Sequence, residues 1–339
     1  MNCTPRSRTG RPAVLAVLCV AALLPASAEA QRAEGSFERT LTVAGTPNIE
    51  ISAGSGSIEV RTGATGRVEV RGRIRAGDWG GGLFRRNAVS AEERVRRVEA
   101  NPPIEQSGDS IRIGHFKDDD LQEGVSISYT VVLPAPSNLD ARSGSGSVDV
   151  NGVSGRVEAR SGSGSLTLQK VSALRASTGS GSITADGVGG ELHATSGSGT
   201  IRATAVAGAI TAKTGSGGIE IVQVGPGQVD VSSASGSVRV QGVRGGLNAS
   251  TASGGLTIQG EMAGDWRLSA ASGSIRINLP ATQGFELDAT TGSGSIDVDF
   301  PVTVTGTVER RSLKGSAQGG GPLLRIRTSS GGIAVRRAT

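Results

Sequence analysis

A six-residue motif recurs about every 18 residues in this sequence, and this repeat constrains the fold more than any other feature. Each copy begins with Ser-Gly-Ser or a close variant and continues with alternating apolar and polar residues, as in SGSVDV from Ser145. An additional copy, SGSIEV from Ser55, lies apart near the start of the chain. The first apolar residues of the other ten copies are Val148, Leu166, Ile183, Ile201, Ile219, Val238, Leu256, Ile275, Ile296 and Ile333.

Each period contains a fixed series of apolar positions that predicts two short strands. In the first copy of the array they are Val148, Val150, Val153, Val157 and Ala159, and the polar residues between them are expected to face solvent. Such a period is typical of a parallel β-solenoid, in which each coil buries its apolar residues against the coils above and below. The competing arrangement is one antiparallel hairpin per period. We expect glycine at the corners because tight turns need positive φ and little bulk.

The N-terminus has the features of a secretory signal peptide over residues 1–30. Three arginines precede an apolar run over residues 13–24, and Ala28 and Ala30 form a small-residue cleavage site. The run is shorter than the roughly 20 residues of a membrane-spanning helix, so we expect cleavage and no later membrane segment. Both cysteines, Cys3 and Cys19, lie in this segment, so the mature chain is predicted to have no disulfide. The predicted destination is the periplasm, the cell surface or the medium.

The remaining chain is predicted to have two regions. Residues 31–140 form an N-terminal β region with the first coils, and residues 141–339 form the repeat array with its closing strands. A short helix is predicted near residues 91–100, because Ser90 and Glu93 form a capping box before an amphipathic stretch. We expect this helix to pack over the side or end of the solenoid and to cover exposed backbone edges. An Arg-rich recognition helix is the alternative.

The run SISYTVVLPAPSNLDARSGSGSVDVNGVSGRVEARSGSGSL, residues 126–166, resembles an exported bacterial β-strand-repeat family labelled "putative adhesin", a domain family of unknown function. GTPNIEISAGSGSIEV from Gly45 is similar to the family's first coil, and TSSGGIAV from Thr328 to its closing strand. The resemblance covers nearly the whole mature chain. It implies surface binding without a defined ligand, and it supplies no catalytic residues.

Charge and aromatic content exclude several classes of function. Removing the signal peptide leaves 32 basic and 29 acidic residues, which gives no support to nucleic-acid binding. The chain has only five Phe, two Trp and one Tyr. It therefore has too few rings for base-stacking platforms or carbohydrate clefts built on sugar stacking.

No catalytic or cofactor-binding residue is predicted. The chain has only His115 and His193 as histidine bases for a nucleophile; His193 is expected to face solvent and His115 to start a loop. The loop after His115 offers carboxylates that could gather a hard divalent cation, but it lacks the glycine and the spacing of an EF-hand loop, and the simpler interpretation is a solvated acidic loop. The candidate metal residues are Asp118, Asp119, Asp120 and Glu123. The candidate binding residues are Trp79 and Phe84.

These observations predict an exported, non-enzymatic β-solenoid that acts as an adhesin-like binding protein or as an envelope scaffold. Its partner would be an envelope or extracellular protein or glycan, and self-association through the solenoid ends stays open. A binding role predicts a patch of exposed apolar residues. The alternative function is a polysaccharide-active β-helix lyase or hydrolase in the periplasm or outside the cell. A concentrated carboxylate face would favour the enzyme, and dispersed charges would oppose it.

Overall fold

The structure is a computed structural model that describes residues 32–77, 90–116, 124–305 and 309–338. Within these ranges it contains 27 strands and one helix, α1, at Ala91–Ala100. The strands up to the middle of the chain are β1 Arg32–Thr42, β2 Asn48–Ala53, β3 Ile58–Gly63, β4 Arg67–Gly77, β5 Ile104–Ser107, β6 Ser110–Ile113, β7 Val125–Pro134, β8 Asn138–Ser143, β9 Val148–Asn151, β10 Arg156–Ser161, β11 Leu166–Val171, β12 Ala173–Thr178, β13 Ile183–Val188 and β14 Leu192–Ser196. The later strands are β15 Ile201–Val206, β16 Ile210–Thr214, β17 Ile219–Gln223, β18 Val229–Ser233, β19 Val238–Thr251, β20 Leu256–Ala270, β21 Ile275–Pro280, β22 Phe285–Ser293, β23 Ile296–Val298, β24 Val302–Val304, β25 Ser312–Ala317, β26 Leu323–Ser330 and β27 Ile333–Ala338.

The prediction of an all-β fold with one short helix is confirmed. Strands of successive repeats pair side by side in two parallel ladders. Ladder A contains β8, β10, β12, β14, β16, β18 and the later halves of β19 and β20. Ladder B contains β9, β11, β13, β15, β17, the earlier halves of β19 and β20, and β21. Because β19 and β20 run through both ladders, the two form one continuous sheet.

The apolar positions of the repeat point into the space between the ladders. Val148 lies beside Leu166, and Leu166 beside Ile183, so equivalent residues form continuous columns. The eight first apolar residues from Val148 to Ile275 are each at most 2% exposed. Trp266 is also fully buried, and its indole N–H donates to the carbonyl oxygen of Gly245 at 2.8 Å. Within the described ranges, no helix has the length and hydropathy needed to cross a membrane.

We expected glycine at the Ser-Gly-Ser corners because of positive φ, but the structure shows a different reason for it. Gly146 and Gly164 do not adopt positive φ. A Cβ added at Gly164 would lie 2.0 Å from the carbonyl oxygen of Gly146, the equivalent residue of the preceding coil. These corners therefore require glycine because stacked turns approach closely. Positive φ occurs instead at the opposite corner, for example at Gly152 and Lys170.

A column of buried hydroxyl groups joins the same corners from coil to coil. Thr214 donates to the carbonyl oxygen of Gly199 in the preceding coil at 3.0 Å and accepts from the Gly217 N–H at 3.2 Å. The same pair of bonds recurs at Ser143, Ser161, Thr178, Ser196 and Ser233. Buried polar backbone groups need hydrogen-bond partners, and these hydroxyls supply them. The hydroxyl column therefore stabilises the stacked coils, as the apolar columns do.

Both ends of the solenoid depart from chain order. The separate motif copy near Ser55 is not isolated in space, because Ile58 of β3 pairs with Val148 of β9 on one side and with Tyr129 of β7 on the other. At the other end, β27 lies between β21 and β23, so Ile333 contacts both Ile275 and Ile296. The first and last motif copies thus lie one coil inside the ends.

Antiparallel pairings close the ends, so the prediction of a parallel arrangement is wrong for these pairings, whereas β6, β7 and β22 each pair parallel with a neighbour on their other side. At the N-terminal end, β4 pairs antiparallel with both β1 and β7, and β5 pairs antiparallel with β6. At the other end, β25 pairs antiparallel with both β22 and β24. The helix α1 packs on β1, with Val95 against Gly35, and Val98 is buried on the same helix. Glu99 accepts a hydrogen bond from the Ser36 N–H at 2.9 Å, on the edge of β1 that faces away from β4. The helix therefore covers a strand edge.

Candidate binding groove

The sequence-predicted site residues fall mostly outside the described residues. Trp79 and Phe84, and Asp118, Asp119, Asp120 and Glu123, all lie there. His115 is described, and its Nε2 lies 3.7 Å from Glu50 Oε1. His193 faces outward on β14, with its Nε2 3.7 Å from Glu191 Oε2. Among the described residues, no group of three His, Cys, Asp or Glu side chains could hold a metal ion.

The described surface lacks the apolar patch that a binding role predicts. Its only exposed large hydrophobic residues are Val224, which is 50% exposed, and Val304, which is 37% exposed. Val224 is displaced by a register shift that places Gln223 opposite Val206 in the interior. Gln223 is buried there, and its amide donates to the carbonyl oxygen of Gly208 at 3.1 Å. One valine displaced in this way does not form a binding surface.

A column of carboxylates lies on the outer face of ladder A near its N-terminal end. Glu50, Asp140 and Glu158 are in register on the neighbouring strands β2, β8 and β10. Arg142 bridges the first two, with Nη1 2.9 Å from Glu50 Oε1 and Nη2 2.5 Å from Asp140 Oδ2. Arg160 pairs with Glu158 and Asp140. The charges here are concentrated, but each carboxylate has an arginine partner.

A groove of about 570 Å³ lies further along the same face. It crosses five neighbouring strands of ladder A, from β16 through β18, β19 and β20 to β26. Its floor is the backbone at Val231, Ala249 and Leu268, whose side chains point into the core. Small outward side chains in the middle of this run, with longer ones at both ends, create the depression.

Three serines in register line the middle of the groove. Ser232, Ser250 and Ser269 are neighbours on β18, β19 and β20. None of their hydroxyls makes a hydrogen bond within the described part of the chain, whereas the adjacent inward hydroxyls of Ser233 and Thr251 are bonded to glycine carbonyls. The outward serines are therefore available to a ligand.

Cationic side chains occupy both ends of the groove. Lys213 lies at one end and makes no ion pair with any described residue. Arg267, Arg325 and Arg327 line the other end. Asp230 is the only carboxylate in the lining, and it accepts a hydrogen bond from Asn248 at 2.6 Å.

The two last arginines share one carboxylate just outside the groove. Arg327 Nη2 lies 2.7 Å and Arg325 Nε 3.4 Å from Asp288 Oδ2. The hydrogen bond from Arg327 holds the pKa of Asp288 below its ordinary value. One carboxylate cannot neutralise two guanidinium groups, so positive charge remains at this end.

No prediction made from the sequence included this groove. Aligning the repeats places Lys213, Ser232, Ser250 and Ser269 at one outward position, so four of its residues could have been found. Arg327 could not, because it follows Ser269 in space but lies 58 residues later in the chain. The register of β26 on β20 brings it there.

The repeat region also identifies the family. Residues 109–336 match the family model described as Toastrack DUF4097. The chain belongs to the Toastrack family. Its ladder A, the groove and most of the motif copies lie within the matched residues. A search of curated proteins finds no match.

Three solved structures are similar to this Toastrack chain over 90% of its length. One is described as a "putative cell adhesion protein" from Clostridium sporogenes, with 12% sequence identity, coverage of 100% of that chain and a TM-score of 0.19. A "putative adhesin" from Bacteroides fragilis has 11% identity, coverage of 97% of that chain and a TM-score of 0.24. A "putative adhesin" from Parabacteroides distasonis has 9% identity, coverage of 97% of that chain and a TM-score of 0.23. TM-scores this low carry no argument about ligand or function.

Proposed function

We propose that this Toastrack protein is an exported, non-enzymatic binding or scaffold protein of the bacterial envelope. The observation that carries the proposal is the groove on ladder A, where unbonded hydroxyls and cationic ends face solvent on a fully hydrogen-bonded sheet. A surface of this kind binds without a conformational change, because its backbone is held on both sides by neighbouring strands.

Two features support binding over catalysis. The groove lining contains one carboxylate and no histidine, so it lacks a pair of groups for acid and base catalysis. The lining is also open and shallow, so water would reach a bound ligand freely.

The second candidate function is a polysaccharide lyase or hydrolase centred on the carboxylate column. Glu50, Asp140 and Glu158 on consecutive strands form the concentrated face that such an enzyme needs. Their pairing with Arg142 and Arg160 opposes this candidate, because the guanidinium groups occupy carboxylate oxygens that a general acid or base has to turn toward its substrate.

One experiment separates the two candidates. The mature chain would be mixed with acidic and neutral polysaccharides, with binding followed by affinity electrophoresis and cleavage by reducing ends and unsaturated products. We expect retardation without cleavage. Cleavage that is abolished by Glu158→Gln would overturn the proposal and assign an enzyme to the carboxylate column.

Protease treatment of intact cells tests the destination, with a periplasmic protein as control. Loss of the chain from intact cells would support the cell surface and an adhesin-like role. Protection with release on outer-membrane lysis would support a periplasmic scaffold. A chain retained in the cytoplasmic fraction would contradict export.

A further inference from the structure

We propose that the groove on ladder A binds a carboxylate-bearing glycan that lies along the solenoid axis. This inference rests on the binding function proposed above and names its ligand class. The groove is defined by Lys213 at one end, the three serines in the middle, and Arg267, Arg325 and Arg327 at the other end.

The length of the groove fits a segment of a polymer. Lys213 and Arg327 lie four strand spacings apart in ladder A, which is about 19 Å at roughly 4.8 Å per spacing. The longer cationic side chains border the groove at its two ends, where they can contact a polymer that continues beyond it. Cations at the two ends therefore favour a ligand whose negative charges recur along its length.

The chemistry of the lining favours an acidic glycan over a neutral one. The lining contains no aromatic residue, so sugar rings cannot stack there and affinity has to come from hydrogen bonds and charge. The free hydroxyls of Ser232, Ser250 and Ser269 can donate to and accept from sugar hydroxyls. Arg327 already donates to Asp288 and Thr290, whereas the two terminal nitrogens of Arg325 make no hydrogen bond to described residues and can bind a carboxylate in a bidentate manner.

The same lining disfavours a peptide or a nucleic acid. A peptide strand needs an open sheet edge or apolar side-chain pockets. The strands of the groove are paired on both sides, and the floor of the groove is backbone, so the groove offers neither. A single-stranded nucleic acid needs aromatic platforms for its bases, which the lining lacks.

The test is calorimetric titration of the mature chain with oligogalacturonate and with neutral dextran oligomers of equal length. We expect binding of oligogalacturonate only, with an affinity that falls as salt concentration rises. The double variant Lys213→Gln, Arg267→Gln should bind about tenfold more weakly or worse. Lys213→Arg should keep the affinity of the parent chain.

A matched control removes two cations from the opposite face. Arg239→Gln with Arg276→Gln changes the net charge equally on ladder B and should leave the affinity unchanged. Ser250→Tyr should block the groove without a change of charge, and Thr184→Tyr on ladder B is its control. Thermal unfolding of each variant checks that the fold is intact.

The outcomes distinguish this inference from the proposed function. Oligogalacturonate binding that both double variants retain would overturn the groove assignment and leave a binding function. Binding to dextran with equal affinity would overturn the acidic ligand but keep the groove if Ser250→Tyr abolishes it. Binding to neither oligomer, with retardation only by another neutral polysaccharide, would overturn the ligand class alone. Binding to no polysaccharide or envelope fraction would overturn both proposals.

Discussion

Single residues at the corners determine how closely the coils stack. The central glycine of the Ser-Gly-Ser corner recurs because, from Gly146 to Gly273, each one lies against the carbonyl oxygen of its equivalent one coil earlier. We expect Gly164→Ala to lower the free energy of unfolding by about 3 kcal/mol, because the new methyl group would force neighbouring coils apart. Chemical denaturation measures this loss. Gly54→Ala is the matched control, since an added Cβ there meets nothing within 4 Å; equal losses at both sites would contradict the close-approach explanation.

The buried hydroxyl column is a second requirement at the residue scale. Thr214→Val keeps the shape of the side chain but removes its bonds to Gly199 and Gly217. We expect a loss of about 1–3 kcal/mol in the free energy of unfolding, because a buried carbonyl and N–H lose their partner. Thr195→Val, an exposed site on the neighbouring strand β14, should cost much less. An unchanged denaturation midpoint for Thr214→Val would show that the column adds no stability.

Asp288 links stability to pH. Its pKa is lowered by the hydrogen bond from Arg327, so its contribution is present above the ordinary aspartate pKa of about 3.9 and is lost as pH falls through the lowered value. We expect Asp288→Asn to reduce stability at neutral pH and to flatten the fall in stability below about pH 4. Denaturation at a series of pH values measures both. Asp149→Asn removes an exposed carboxylate without an ion pair among the described residues, and a similar flattening there would contradict the assignment.

At the scale of elements, α1 depends on its cap and on the strand beneath it. A ten-residue helix is marginal alone, so packing on β1 and the Ser90 cap hold it in place. Ser90→Ala removes the acceptor of the Glu93 N–H and should cost about 1 kcal/mol. Because the helix covers an edge, we expect faster hydrogen exchange in α1 and β1 with the ladders unaffected. Ser177→Ala, an outward site on β12, is the control, and uniform acceleration throughout the chain would contradict a local role.

The predicted elements were accurate where local chemistry determines them. The capping box at Ser90 and the apolar face through Val95 predicted the helix that the structure contains at Ala91–Ala100. Gln223 lies in the core opposite Val206, while Val224 is exposed. This placement could not be predicted from the sequence, because it depends on a register shift between β17 and β15. A repeat pattern indicates which positions face inward, but a local shift in register changes which residue occupies them.

At the scale of the whole molecule, the order of coils in space differs from their order in the chain. Ile333 belongs to the last motif copy, yet its strand lies between β21 and β23. We expect Ile333→Asp to cost several kcal/mol, because the charge would be buried between two coils. Ile296→Asp should cost clearly less, since β23 pairs with β27 alone. Chemical denaturation compares the two, and a larger loss for Ile296→Asp would contradict this order of coils.

The sequence by itself determined the strands, the inward columns and the single helix, because these follow from alternation and capping within a few residues. The neighbours that share a register, such as Val148 and Leu166, are also separated by one sequence period. Tertiary structure alone decided which coils lie at the ends, why the corners need glycine, and that Arg327 completes a groove begun by Lys213. The physical reason is that the motif copies are nearly interchangeable as stacking partners. Which copy stacks on which is therefore decided by long-range packing of the whole chain.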